Sequence, residues 1–210
     1  MESAKNLGVI LDSTLSFDVQ IQKLVKSCFI TIRQLWKVKE FLTQQHLQLL
    51  VSSLIFTLLD YCNSLYYGLP ASATKKLQHV QNCAARLVWK KHIPIRSSLD
   101  HVFESLHWLK IKYRIIYKII WLVYCCLHDR APEDVAALIT YAHSDRSTKL
   151  QVTRVNNSYG ERAFSHIGPK LWNLLPKEIS EEHDLTEFKQ KLKSFLLTRG
   201  EEFVEKCKRR

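Results

Sequence analysis

Two sets of basic residues recur at helical spacing. Lys23, Lys26, Arg33 and Lys37 form the first; Lys75, Arg86 and Lys90 form the second, with His79 among them. At about 100° per residue each set falls within a narrow arc of a helix. Cations so placed contact phosphate oxygens and position a nucleic-acid backbone without reading its sequence. The same pattern also describes an ordinary solvated helix face, and residue spacing leaves both readings open. Net charge says which partner the first reading implies. Lys and Arg number 31 against 20 Asp and Glu, leaving +11, a balance that suits nucleic acid first and an acidic membrane surface second.

Other chemistries find less support. The five glycines are scattered, with neither G-x-x-x-x-G-K nor G-x-G-x-x-G to cradle a phosphate. Ser158-Tyr159-Gly160 reads as a turn, and no nucleophile stands beside an evident base. Two-metal phosphoryl transfer needs converging carboxylates, whereas Asp12, Asp18, Asp60 and Asp100 are isolated in sequence. Of the six cysteines, Cys125 and Cys126 with His128 come nearest to a metal set, but no C-x2-C pair accompanies them. No catalytic residue, metal ligand or cofactor is therefore expected. Cys28, Cys62, Cys83 and Cys207 sit, like that pair, mostly on apolar helix faces and suit reduced thiols.

The elements that must carry these groups are mostly helices. Composition is 46% hydrophobic and 24% charged with few Gly and Pro, which predicts a folded, helix-leaning chain. The exception is "NLGVILDSTLSF", residues 6–17, where Leu7, Val9, Ile10 and Leu11 read as a short strand with no partner strand in view. A helix follows from Ser16 or Asp18 to about Leu42, its apolar positions opposite the first basic set. A second starts near Thr43 and stops before Gly68 and Pro70, and a third, capped by Ser72, carries the second basic set. Ser98 or Asp100 begins a short helix ending at "LHWL".

Residues 110–128 form the most apolar helix, with Tyr113, Tyr117, Trp121 and Tyr124 sharing one half of its circumference with Lys110, Arg114 and Lys118. Interleaved aromatic and basic residues either bind nucleic acid or pack a central helix on two sides. Pro132 marks a further helix start, residues 143–159 are turn-rich, and "KLQVTRV" reads as an extended segment near 148–160. Two amphipathic helices follow. In the first, Trp172 with Leu171, Leu174 and Leu175 is either core or a docking face. The expected fold is mainly α: a multi-helix bundle with one orphan N-terminal strand, divided into residues 1–16, 17–142 and 143–210. Residues 1–16 are expected to be poorly ordered or folded back onto the helices.

No apolar stretch reaches the ~20 residues of a spanning helix, and the N-terminus lacks a secretory pattern. The expected location is intracellular, cytoplasmic or nuclear, with no membrane partner.

Six segments occur in a recognisable order: "NLGVILDSTLSF", "LDYCNSLYYGLP", "LQHVQNCAARLV", "SLHWLKIKYRIIYKIIWLVYCCLH", "YGERAFSHIGPKLWNLLP" and "FKQKLKSFL". Together, from Asn6 to about Leu197, they resemble the end of the reverse transcriptase of LINE-type non-LTR retrotransposons, of the jockey and chicken-repeat kind. The resemblance implies that Leu7-Gly8-Val9 corresponds to the last strand of a polymerase palm, and that Leu15 and Phe17 enter a helical thumb. It also implies that the palm and fingers, with the catalytic hairpin, are encoded upstream in a parent polyprotein. Two positions depart from the family: Gln20 stands where a histidine is usual, and Lys110 where a proline is usual. The implied role is to grip a template RNA–primer DNA duplex, with no polymerase activity of its own. A stand-alone helical interaction module or a non-functional transposon relic is the alternative.

Overall fold

Leu7 and Gly8 close a turn at the front of the chain. Both have positive φ, 45° and 87°, the pairing that a two-residue type I′ hairpin turn requires. They fold Ser3–Asn6 (β1) back onto Val9–Asp12 (β2) as an antiparallel pair, with Asn6 opposite Val9 and Ser3 opposite Asp12. The computed structural model in which this is seen describes residues 3–91, 93, 94, 96–142 and 149–208.

The apolar run expected to be an orphan strand therefore has a partner, supplied by the polar residues just before it. Two short strands alone are marginal in water, so the hairpin needs support from the helices. Gln20 Oε1 accepts a hydrogen bond from the Ile10 amide at 3.0 Å, and the Tyr61 hydroxyl donates to the Leu7 carbonyl. Gln20 is thus the residue that ties β2 to the next helix.

The connection from β2 into that helix is organised by Asp12, which is only 5% exposed. Its carboxylate accepts from the amides of Thr14 (3.1 Å), Ser16 (2.9 Å) and Phe17 (2.8 Å) and from the hydroxyls of Thr14 and Ser16. These hydrogen bonds hold its carboxyl well below the usual carboxylate range against the opposing effect of burial. Phe17, buried and in the left-handed region with φ 58°, then starts α1, Asp18–Val38.

Two compact units divide the chain, residues 1–112 and 113–210. In the first, α1 packs against α4, Ala71–Trp89, and α4 also meets α2, Gln44–Val51. Thr43 caps α2 by accepting from the His46 amide. The helix does not run on unbroken: a π turn at Ser52–Phe56 precedes α3, Thr57–Asp60, and a 3-10 turn covers Asn63–Tyr66. The wider turn lets the consecutive residues Ile55 and Phe56 both be buried. α4 begins directly after Pro70, not at a Ser72 cap. Gln81, fully buried on α4, donates to the Leu109 carbonyl at 2.8 Å, and Gln78 accepts from the Ile111 amide. α5, Asp100–Ser105, is tied down by Lys110, whose ammonium lies 2.6 Å from Asp100.

The second unit is built on α6, Ile111–Leu127, which the unit boundary enters two residues from its start. With it are the single turns α7 (Glu133–Ala136), α8 (Ser158–Arg162) and α10 (Lys177–Ser180), and the longer α9 (Phe164–Trp172) and α11 (Leu185–Lys208). Tyr124 stacks between His128 and Phe188 with centroids 3.9 and 4.1 Å away, and its hydroxyl donates to the His183 carbonyl. Leu171, Trp172 and Leu175 are buried, so that stretch serves as core and not as a docking face. The extended segment appears as a single bridge between Tyr141 and Leu150. Asn173 holds Leu150 from both sides, accepting from its amide and donating to its carbonyl. Residues 143–148, where the C-terminal appendage was expected to begin, lie outside the described residues.

The chain is thus mainly α with one short two-stranded antiparallel sheet at the front. No described helix is long and apolar enough to cross a membrane.

Candidate nucleic-acid interface

On α1 the buried positions are Ile21, Leu24, Cys28, Ile32 and Leu35, and Lys23, Lys26, Arg33 and Lys37 are all exposed. Projected down the helix, the four cations fall within about 80°, directly across from the buried set. That opposition follows from the sequence: apolar residues at three- and four-residue steps fix which face meets α4, and the remaining face must look outward.

The second set is less uniform. Lys75 is exposed on α4. Arg86 is half-buried and its guanidinium reaches the Pro94 carbonyl at 3.4 Å. Lys90 ends the helix in the left-handed region with φ 58°, and its ammonium donates to the Leu42 carbonyl before α2. Both groups therefore have work inside the fold, which spacing alone could not reveal because their acceptors lie in loops. Lys75 keeps its place in an outward-facing set.

The two stripes adjoin. His79 lies at the middle of the α4 arc, and its ring is 5.6 Å from that of Phe29. Phe29 in turn flanks the α1 cations, about 40° from Arg33 around the helix. At the start of α1, Asp18 pairs with Lys76 of α4 at 3.9 Å. The result is one basic surface spanning α1 and the first half of α4, suited by charge to a polyanion.

Each of the four aspartates named above has a partner of its own. Asp12 is consumed by its turn, Asp18 and Asp100 are in ion pairs, and Asp60 accepts from Asn63. Among the described residues no three His, Cys, Asp or Glu side chains are grouped to hold a metal ion. The cysteines are free thiols; burial pushes Cys28 and Cys207 up to about 11.

Cations outside the predicted sets also cluster in the second unit. A cavity of about 250 Å³ is lined by Lys149, Lys170 and Lys206 with His166. The His166 Nδ1 donates to the Thr153 carbonyl at 2.6 Å. Along α6 and α11, Lys118 and Lys189 both lie over Trp121. The residues of that second cluster on α6 were visible as an aromatic–basic mixture; their α11 partners, 68 or more residues away, were not.

No family model matches the chain, and neither a curated protein nor a solved structure matches it.

Proposed function

We propose that this chain is the thumb and C-terminal helical region of a LINE-type RNA-directed DNA polymerase. It binds template RNA–primer DNA non-specifically and has no catalytic carboxylates of its own. The observation that carries the reading is the α1 face, where four cations stand directly opposite the buried stripe and border Lys75 and His79 of α4. The ordered motif resemblance supplies the enzyme class. In this reading Lys23, Lys26, Arg33, Lys37 and Lys75 take phosphate contacts, while Arg86 and Lys90 chiefly brace the helices that present them. The palm and fingers of the parent protein are the remaining partners.

A second reading, a helical interaction module, is favoured by a different observation. Leu54, Leu58, Tyr61 and Leu65 follow one another at steps of three or four residues and are all exposed, and Tyr61 touches the exposed Leu7. Exposed apolar side chains concentrated in one stretch of chain suit protein contact.

The test is binding of a labelled RNA–DNA duplex, followed by fluorescence anisotropy across a salt series. Each phosphate contact contributes about −0.9 to the log–log slope on a B-like duplex. Reversing Lys26, Arg33 and Lys37 to Glu should flatten the slope by about 2.7 and leave the thermal melt in place. A flat titration for the parent chain, or an unchanged slope in the variant, refutes the assignment. Self-association lost on converting Leu54 and Leu58 to Ser would favour the second reading.

A further inference from the structure

Trp121 carries two ammonium groups over one ring. Lys118, three residues earlier on α6, places Nζ 4.3 Å from the indole centroid, and Lys189 of α11 places its own 4.9 Å away. One cation over an indole is favourable; two whose distances to the same centroid are 4.3 and 4.9 Å lie at most about 9 Å apart, near enough to repel each other. Among the described residues neither lysine has a carboxylate within ion-pair distance. Crowding continues one turn away on each helix, at Arg114 and Lys193. Burial and the nearby Arg114 guanidinium hold the Lys193 ammonium below its ordinary pKa.

A separate observation falls on the same residue. The Trp121 indole N–H is buried and meets no acceptor among the described residues. Buried donors are ordinarily paired, and one that is not calls for an explanation. Tyr113 and Tyr124, which share the aromatic half of α6, are instead buried in the core. The mixture read from the sequence therefore resolves into core tyrosines and a cationic seam centred on Trp121.

We propose that the α6–α11 seam is a phosphate site, in which an oxyanion of a nucleic-acid strand sits between Lys118 and Lys189 beside Trp121. The anion relieves the repulsion between the two ammonium groups, and the indole serves as the platform that fixes them. With ammonium groups over it the ring is not offered to a base, so the contact reads backbone charge and not sequence. Arg114 to Lys118 and Lys189 to Lys193 are each four residues apart, about 6 Å of helical rise. That step is comparable to the separation of successive phosphates along an extended strand, so the outer pair suits the neighbouring phosphate. The ligand class rests on the nucleic-acid reading above; the place of the site rests on its own residues.

The experiment uses the full chain and a labelled single-stranded RNA, with anisotropy read across a salt series and tryptophan emission read in parallel. Lys118→Glu with Lys189→Glu should weaken binding roughly tenfold or more at low salt and flatten the slope by about 0.7, for the one single-strand phosphate held between them. Arg154→Glu with Lys177→Glu, the same charge change at exposed positions on other segments, should cost much less. Trp121→Phe should abolish the emission change on binding while a thermal melt shows the fold retained. Lys118→Gln with Lys189→Gln serves as the milder pair should the reversal fail to fold. Equal losses from the seam and control pairs would overturn the proposal. So would an emission change with inorganic phosphate alone and RNA binding untouched by the seam variant, which would assign the site to free phosphate. If the seam variant binds normally and the α1 reversal does not, this inference fails and the α1 reading survives. The opposite result removes the α1 face and keeps the seam.

Discussion

Replacing Asp12 by Ala removes the acceptor that holds the link between the hairpin and α1. Five donors lose their partner, but they are not equal. The Phe17 amide is fully buried and 2.8 Å from the carboxylate, whereas the Thr14 and Ser16 groups are part-buried and water can reach them. A buried hydrogen bond to a charged group is worth about 1.5–3 kcal/mol, and the rehydrated ones add less, so a total of about 2–4 kcal/mol is expected. The carboxyl titrates below its ordinary value in the folded chain, so its contribution is complete above the unfolded pKa of about 4 and is lost as pH falls toward the folded one. Urea unfolding of both chains should therefore show the full gap at pH 7, and a gap that narrows steadily below about pH 4. Asp12→Asn, which keeps one acceptor oxygen, should fall between them. A gap under about 0.5 kcal/mol at pH 7, or one that does not change with pH, would refute the reasoning.

Three further outcomes are expected. Leu7 is 84% exposed and held at φ 45°, so Leu7→Asn should raise stability by about 0.5–1 kcal/mol in denaturant melts, because Asn-Gly suits a type I′ turn; a loss would argue against the hairpin. Gly200 lies under the Tyr113 ring, and a Cβ there would stand 2.7–3.0 Å from three ring atoms. Gly200→Ala should cost about 1–3 kcal/mol, and less in a Tyr113→Leu background, which a double-mutant cycle would measure. Cys28 and Cys207 are buried with thiols pushed to about 11. An uncharged maleimide at pH 8 should spare both until denaturant is added, as read by mass spectrometry, since little thiolate exists there and access is closed.

The helical bulk of this fold was legible because apolar residues repeat at helical steps: of the positions spacing selects on α1, Ile21, Leu24, Cys28, Ile32 and Leu35 are buried, though Val25 is half-buried and Trp36 is exposed. The hairpin was not. Ser3–Asn6 shows no alternating apolar pattern, and its pairing follows from a Leu-Gly turn whose φ values no propensity for Leu announces. The start of α2 near Thr43 was readable, whereas the π turn at Ser52–Phe56 breaks a pattern that looked continuous. Among the basic residues, exposure of the α1 quartet followed from period alone. Arg86 and Lys90 could not be sorted, since carbonyls at Pro94 and Leu42 become neighbours only after folding. Lys189 meets Trp121 across 68 residues for the same reason: helix period places a side chain on a face but does not say which other helix that face meets.

The charge density of the α1 face sets how tightly it can hold a duplex. Lys23 to Lys37 spans 14 residues, about 21 Å of helix, along which a duplex carries about 12 phosphates. Four cations neutralise at most about a third of these, and all four are exposed and screened within about 10 Å at ordinary salt. On the proposed reading such a face should give the salt-sensitive, micromolar-or-weaker binding of non-specific contacts, at about 10⁻⁴–10⁻⁶ M. The proposed seam at Trp121 would add contacts on residues of a different unit, so its effect on one long strand would multiply that of α1 only if the strand can reach both. A long RNA that binds the full chain no better than a short one would show that the two sites are not used together. Nanomolar binding of a short duplex would require contacts beyond both.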